Sequence, residues 1–166
     1  MNKALTFDFF IDKEKNTVTI RREFEAPRPL VWDAYTKKEI LDQWWAPKPW
    51  KARTKSMDFR EGGNWVYAME GPKGEVQWSR SDFKDIQVQK KFTGHDAFAD
   101  ADGKVNKDMP QSKWEVKFTD KGKNTLVETN ISFDTTAQLD KLLQMGFEEG
   151  MTTAMDGLDI VLTSLQ

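Results

Sequence analysis

The chain has 166 residues, and its 27 Asp and Glu against 25 Lys and Arg leave a formal net charge of -2 with no long block of one sign. A duplex-binding face, which rests on several phosphate contacts from clustered basic residues, is therefore not expected. With no cysteine, disulfides and thiolate metal sites are excluded. The length suits one domain, residues 1–166, burying roughly 70% of its unfolded surface. No run of about 18 apolar residues occurs and the start, MNKALTFDFFIDKEK, lacks a signal-type apolar stretch. A cytoplasmic protein, monomer or homodimer, without a membrane or nucleic-acid partner is the expectation.

Leu5, Phe7, Phe9 and Ile11 alternate with polar residues, DKEKN turns the chain, and Val18, Ile20, Arg22 and Phe24 resume the alternation. This predicts a β-hairpin. Pro27 and Pro29 then bracket a helix start, with Leu30, Val31, Ala34 and Tyr35 as its apolar face. Thr36 and Glu39 have the spacing of a capping box, which predicts a second short helix carrying Ile40, Leu41, Trp44 and Trp45 until Pro47 stops it.

From Trp50 to Phe133 strand-like alternation is punctuated by tight turns, such as GPKG at 71–74 and DKGKN at 120–124. Trp65, Tyr67 and Met69 share one parity, as do Trp114, Val116 and Phe118, and Phe83, Ile86, Val88 and Phe92 continue the pattern. An antiparallel meander of five or six strands is predicted. From Thr135 to Gln166 apolar residues recur at three-and-four spacing, including Leu139, Leu143, Phe147, Met151, Ala154, Leu158 and Leu162, while Asp140, Glu148, Asp156 and Asp159 run down the other side. One long amphipathic helix is expected, started by a Thr135 to Gln138 capping box. The fold class is α+β, with a curved antiparallel sheet wrapped around a long C-terminal helix and two short helices after the first strands.

Chemistry-bearing motifs are sparse. His95 stands beside Asp96, but neighbours in a strand point to opposite faces, so neither orients the other and a structural role is favoured. No serine lies in a nucleophile elbow. Setting Gly103 of DADGKVNKD at the glycine of a calcium loop puts Phe98 and Met109 at ligand positions, so a plain turn is the better reading. One histidine without cysteine does not furnish the usual zinc or iron ligands, and neither metal nor cofactor is expected. In WWAPKPWKARTK the basic residues Lys51, Arg53 and Lys55 alternate like a solvated strand face, although Met57 and Phe59 share their parity. The seven Trp, eleven Phe, two Tyr and seven Met mostly fill a core. Gly146, Gly150 and Gly157 interrupt the helical stripe, each at about 1 kcal/mol relative to Ala, and either let backbones approach or leave room for a ligand. Gly146 is expected against the sheet and Gly150 at a cavity.

The segments APRPLVWDAYTKKEILDQWWAP, DFREGGNWVYAMEGPKGE, FADADGKVNKDMP and GFEEGMTTAMDGLDIVL, in that order, resemble the activator of heat-shock chaperone ATPase homologue, C-terminal-domain-like family. That family lies within the START-like, birch-pollen-allergen-like superfamily, which includes polyketide cyclases, and the resemblance covers about residues 16 to 165. It implies a helix-grip fold with an apolar cavity under the last helix, and a place in stress response. Chaperone activators, as the resemblance implies, carry a separate N-terminal domain for which the chain has no room, so direct stimulation is not expected. Cyclase-type members carry ionisable groups in the cavity, whereas the inward candidates here are almost all apolar.

The leading expectation is thus a non-catalytic domain holding a small hydrophobic or aromatic ligand. Trp65, Tyr67, Met69, Trp78 and Trp114 would form the sheet wall, Phe147, Gly150, Met151 and Ala154 the roof, and Tyr67 or Arg80 would orient the ligand. A module contacting a chaperone or another protein through Trp45 to Arg53 is the second reading. The third is a cyclase- or hydrolase-like enzyme using His95, Asp82 or Glu70.

Overall fold

The structure, a computed structural model, describes residues 5–166. Among them, β1 (Phe7–Asp12) and β2 (Thr17–Phe24) form the expected hairpin, α1 (Arg28–Thr36) and α2 (Lys38–Trp44) follow, and six strands come next. These are β3 (Lys51–Met57), β4 (Asn64–Glu70), β5 (Val76–Gln87), β6 (Lys91–Ala99), β7 (Gln111–Lys121) and β8 (Asn124–Ser132). Two helices close the chain, α3 (Thr136–Gln144) and α4 (Phe147–Ser164). The strands make one antiparallel sheet in the order β1-β2-β8-β7-β6-β5-β4-β3. α1 and α2 carry the chain from β2 to the far edge, and the meander then returns strand by strand until β8 pairs with β2. This is the α+β helix-grip architecture, with α4 lying in the hollow of the sheet. Among the described residues no helix is long and apolar enough to cross a membrane.

The long helix is in fact two. The apolar spacing runs on through the break, but Gly146 adopts φ +88°, a left-handed conformation that ends α3 and begins α4. Its N–H donates to the Leu143 carbonyl at 3.1 Å and its own carbonyl accepts from Gly150 N–H at 2.9 Å. An unbroken helix of about 30 residues would be about 45 Å long, against about 30 Å for a small domain, so the chain bends to keep both halves on one core. Leu139 of α3 and Met151, Met155, Leu158 and Leu162 of α4 join that same core.

Gly146 therefore does not lie against the sheet as expected, and an added Cβ there would meet nothing within 4 Å. Gly157 is equally open but has helical backbone. Gly146→Ala should then destabilise by about 1 kcal/mol, because a Cβ strains the left-handed backbone, while Gly157→Ala should stabilise by up to about 1 kcal/mol. Denaturant midpoints at constant m-value read both, and equal signs would contradict this account.

Three local details differ from expectation. Thr135 caps α3 by accepting from the Gln138 N–H at 3.2 Å, but among the described residues nothing donates to the Gln138 Oε1, so the box is one-sided. Thr36 caps nothing. It is still in the last turn of α1, where its hydroxyl donates back to the Trp32 carbonyl at 2.8 Å, and Lys37 begins α2 without a side-chain cap. Val88, read with a strand, is 70% exposed in the turn between β5 and β6.

A register shift between Thr54 and Ser56 resolves the parity conflict in β3. Lys51 and Arg53 before the bulge and Lys55 within it face solvent; after it Met57 packs on the core. At one end of the hollow an aromatic cluster of Trp32, Phe59, Phe83, Phe92 and Phe118 fills the space, with ring centroids 4.8 to 6.3 Å apart. Buried Arg22 of β2 reaches Asp159 at 2.7 Å and Asp156 at 2.9 Å, which fixes α4 across the sheet.

Candidate functional site

The N-terminal half of α4 stands over a different surface. Here the inward positions of the central strands are small and polar, namely Ser79 and Ser81 on β5 and Ser112 on β7, with Asp96 on β6 between them. Register sets them in a row: Trp65 opposes Ser81, Ser81 opposes Asp96, and Asp96 opposes Ser112. Serines in place of large side chains leave space between sheet and helix, and a cavity of about 330 Å³ results. Its floor includes Tyr67, Met69, Ser79, Asp96, Ser112 and Trp114. Leu142 of α3 and Met145 and Gly146 of the helix break, with Phe147, Gly150 and Met151, form its roof, and Trp45, Pro47 and Trp50 its flank.

The polar atoms of the floor are organised. Ser81 Oγ donates to Asp96 Oδ1 at 2.7 Å. Trp45 Nε1 donates to the Tyr67 hydroxyl at 2.9 Å, and Trp114 Nε1 donates to Ser112 Oγ at 2.9 Å. Rings hold these groups in place, with Trp65 stacked on Tyr67 at 4.0 Å and Trp45 lying 5.6 Å from Trp65 and 5.9 Å from Trp114. Asp96 keeps part of its surface open to the cavity and is otherwise enclosed by protein. Burial pushes its carboxyl up to about 7, against the opposing hydrogen bond from Ser81 and with help from the Asp82 charge. Burial also raises the Tyr67 hydroxyl, the Asp96 charge adding to it while hydrogen bonds with Trp45 and Ser79 work the other way.

Of the residues expected to line a ligand site, Tyr67, Met69, Trp114, Phe147, Gly150 and Met151 come together around this cavity. Trp65 lies behind Tyr67 and borders a separate void of about 30 Å³. Trp78 has the other parity and lies on the outer face, under the Arg53 and Lys55 side chains at 5.4 and 5.9 Å. Ala154 is buried in the packed core further along α4. Arg80 borders the cavity, but its guanidinium is held by Asp82 at 2.8 Å and by the Gly103 carbonyl at 3.2 Å, so it does not orient a ligand inside.

The residues of the enzyme reading sit elsewhere. His95 pairs across the strands with Asp82 and Lys113, and Glu70 binds Arg53, all on the outer face. The inward residue is Asp96, whose parity with Phe92 and Phe98 was the available signal in the sequence. The assumption that inward positions are almost all apolar overlooked the serines for the same reason. Within the Trp45 to Arg53 surface of the protein-contact reading, Trp45 points to Tyr67 and half-buried Trp50 flanks the cavity, while Lys51 and Arg53 lie exposed on β3.

In the 100–108 loop, Asp100 Oδ1 accepts from the Asp102 and Lys104 N–H groups, as in a simple turn. Among the described residues no three histidine or carboxylate side chains converge closely enough to hold a metal ion.

Residues 25–163 match the family described as Activator of Hsp90 ATPase homolog 1-like protein. A solution structure of a protein from Arthrobacter aurescens is 29% identical, with a TM-score of 0.89 over 95% of this chain and 91% of that one. The crystal structure of protein Ms6760 from Mycobacterium smegmatis is 30% identical, with a TM-score of 0.87 over 96% of this chain and 97% of that one. A protein from Staphylococcus epidermidis is 26% identical, with a TM-score of 0.82 over 94% of each chain. No curated protein matches the chain.

Proposed function

The chain belongs to the Activator of Hsp90 ATPase homolog 1-like family, and from that premise we propose that it is a non-catalytic binding domain holding one small, largely apolar molecule between sheet and α4. The observation that carries this reading is the cavity of about 330 Å³ walled by Trp, Tyr, Phe and Met side chains. Its size falls in the range of small-molecule sites, and its lining is mainly apolar with a few placed polar groups, as such sites are. Enclosing about 200 Å² of an aromatic body at roughly 25 cal/mol per Å² supplies about 5 kcal/mol before the losses of association. The residues named for catalysis, His95, Asp82 and Glu70, all face away from the cavity, and the ionisable carboxyl that lines it is Asp96.

Binding should be readable with the uncharged probe N-phenyl-1-naphthylamine, whose emission rises in apolar surroundings. Trp45, Trp50 and Trp114 border the cavity, so their emission should fall in step as the probe enters. A saturable, one-to-one response is expected. A response that grows linearly without saturation, or none, would remove the cavity as a binding site.

A further inference from the structure

We infer that the cavity selects molecules that carry a protonated amine on an aromatic body, with Asp96 as the anchor for the nitrogen. This rests on the binding reading above and gives it a ligand class. Among the described residues, the carboxylate that lines the cavity is Asp96; Arg80 also borders the cavity, but its guanidinium is held by Asp82 and by the Gly103 carbonyl. The groups facing it are polar but uncharged: Ser81 from β5, Ser112 and Trp114 from β7, Tyr67 from β4 and Trp45 from the α2–β3 connection. The roof over it, from Leu142 to Met151, contributes apolar side chains and backbone. Arg80 shares the strand parity of Asp82, to which its guanidinium is committed, and His95 and Lys113 point outward.

The hydrogen bonds are arranged for a negatively charged acceptor. Ser81 donates to Asp96 Oδ1, and no hydrogen bond within the described structure reaches Oδ2. Ser112 accepts from Trp114 Nε1, which leaves its own hydroxyl hydrogen to donate into the cavity. An ammonium at Oδ2 gains a charge-assisted hydrogen bond and stands near the rings of Trp45 and Trp114, whose faces attract cations. An anionic ligand meets an apolar wall and a like charge, and the bordering Arg80 is already paired with Asp82. Because Asp96 releases its proton near pH 7, the preference should grow as pH rises through that value and fade below it.

The test is displacement of bound N-phenyl-1-naphthylamine by three matched competitors: 1-naphthylmethylamine, 1-naphthalenemethanol and 1-naphthoate. At pH 8 the amine should bind about tenfold or more tighter than the alcohol, as expected for a hydrogen bond to a charged group, and the carboxylate should bind weakest. Asp96→Asn should bring the amine to the level of the alcohol, both competitors being measured against the variant's own affinity for phenylnaphthylamine. In the unmodified protein, lowering the pH from 8 to 5 should erase the same preference, which tests the anchor without any substitution. An amine no tighter than the alcohol at pH 8, or a preference that survives both Asp96→Asn and low pH, would overturn the assignment while leaving the cavity reading intact. Failure of phenylnaphthylamine itself to bind would overturn both.

Discussion

Replacing Asp96 with asparagine should stabilise the protein at pH 8 by about 2–3 kcal/mol and leave it little changed or slightly less stable at pH 4. When folded, the carboxyl keeps its proton to about pH 7; unfolded, it releases it near pH 4. Between these values the folded state binds more protons than the unfolded one, so this group's contribution to stability is full below about pH 4 and is lost as pH rises to about 7. Each pH unit is worth about 1.4 kcal/mol, which sets an upper bound of about 4 kcal/mol. Asp96 opens onto the cavity, where water relieves part of the burial, and the expected figure is lower for that reason. Asparagine carries no charge to bury and its carbonyl can still accept from Ser81 Oγ. Urea unfolding at pH 4, 6 and 8 gives the result directly. The unmodified protein should lose stability along the series relative to the variant, and parallel curves would show that Asp96 is well solvated in the folded state.

Gly150→Leu should raise stability by about 1–2 kcal/mol and abolish binding of N-phenyl-1-naphthylamine. Gly150 lies in regular helix on the cavity roof, and a Cβ there meets only Pro47 Cγ at 3.6 Å, an ordinary contact. Leucine therefore gains most of the roughly 1 kcal/mol of helix propensity that glycine forgoes and adds apolar burial in vacant space. The same atoms occupy the volume a ligand needs. Were the roof tightly packed, the extra methyl groups would cost about 1–3 kcal/mol instead. A midpoint shift to higher denaturant together with loss of the probe signal is the expected pair of results. A destabilised variant would remove the physical basis for the cavity, and a stabilised one that still binds the probe would move the binding site elsewhere.

Much of the fold was legible because local patterns and packing agree. Strand alternation at 18–24 and 114–118, the prolines at the start of α1 and the Thr135 cap all report a choice made within a few residues, and the structure makes the same choice. The break at Gly146 was hidden, since the apolar spacing continues across it and a glycine in a helical pattern reads equally as a weak point or a close approach. The site was only half legible. Tyr67, Met69 and Trp114 were readable from parity, but parity within a strand does not say which strand lies beside it. His95 drew attention as the one histidine, while the inward residue was its neighbour Asp96. Trp78 was assigned by its aromatic character, and one residue of register placed it on the outer face.

By itself the sequence determined the family, the element order and which faces are apolar, because these depend on side-chain chemistry at fixed short spacings. The tertiary structure alone decided where the apolar layers fail to meet. The cavity exists because Ser79 and Ser112, distant in sequence, are brought onto one floor with Asp96 by cross-strand register beneath the start of α4, while large rings fill the other end of the hollow. It likewise decided that a carboxylate would face that space, because the strand pairing encloses Asp96 among uncharged side chains and ties the nearby arginine to Asp82.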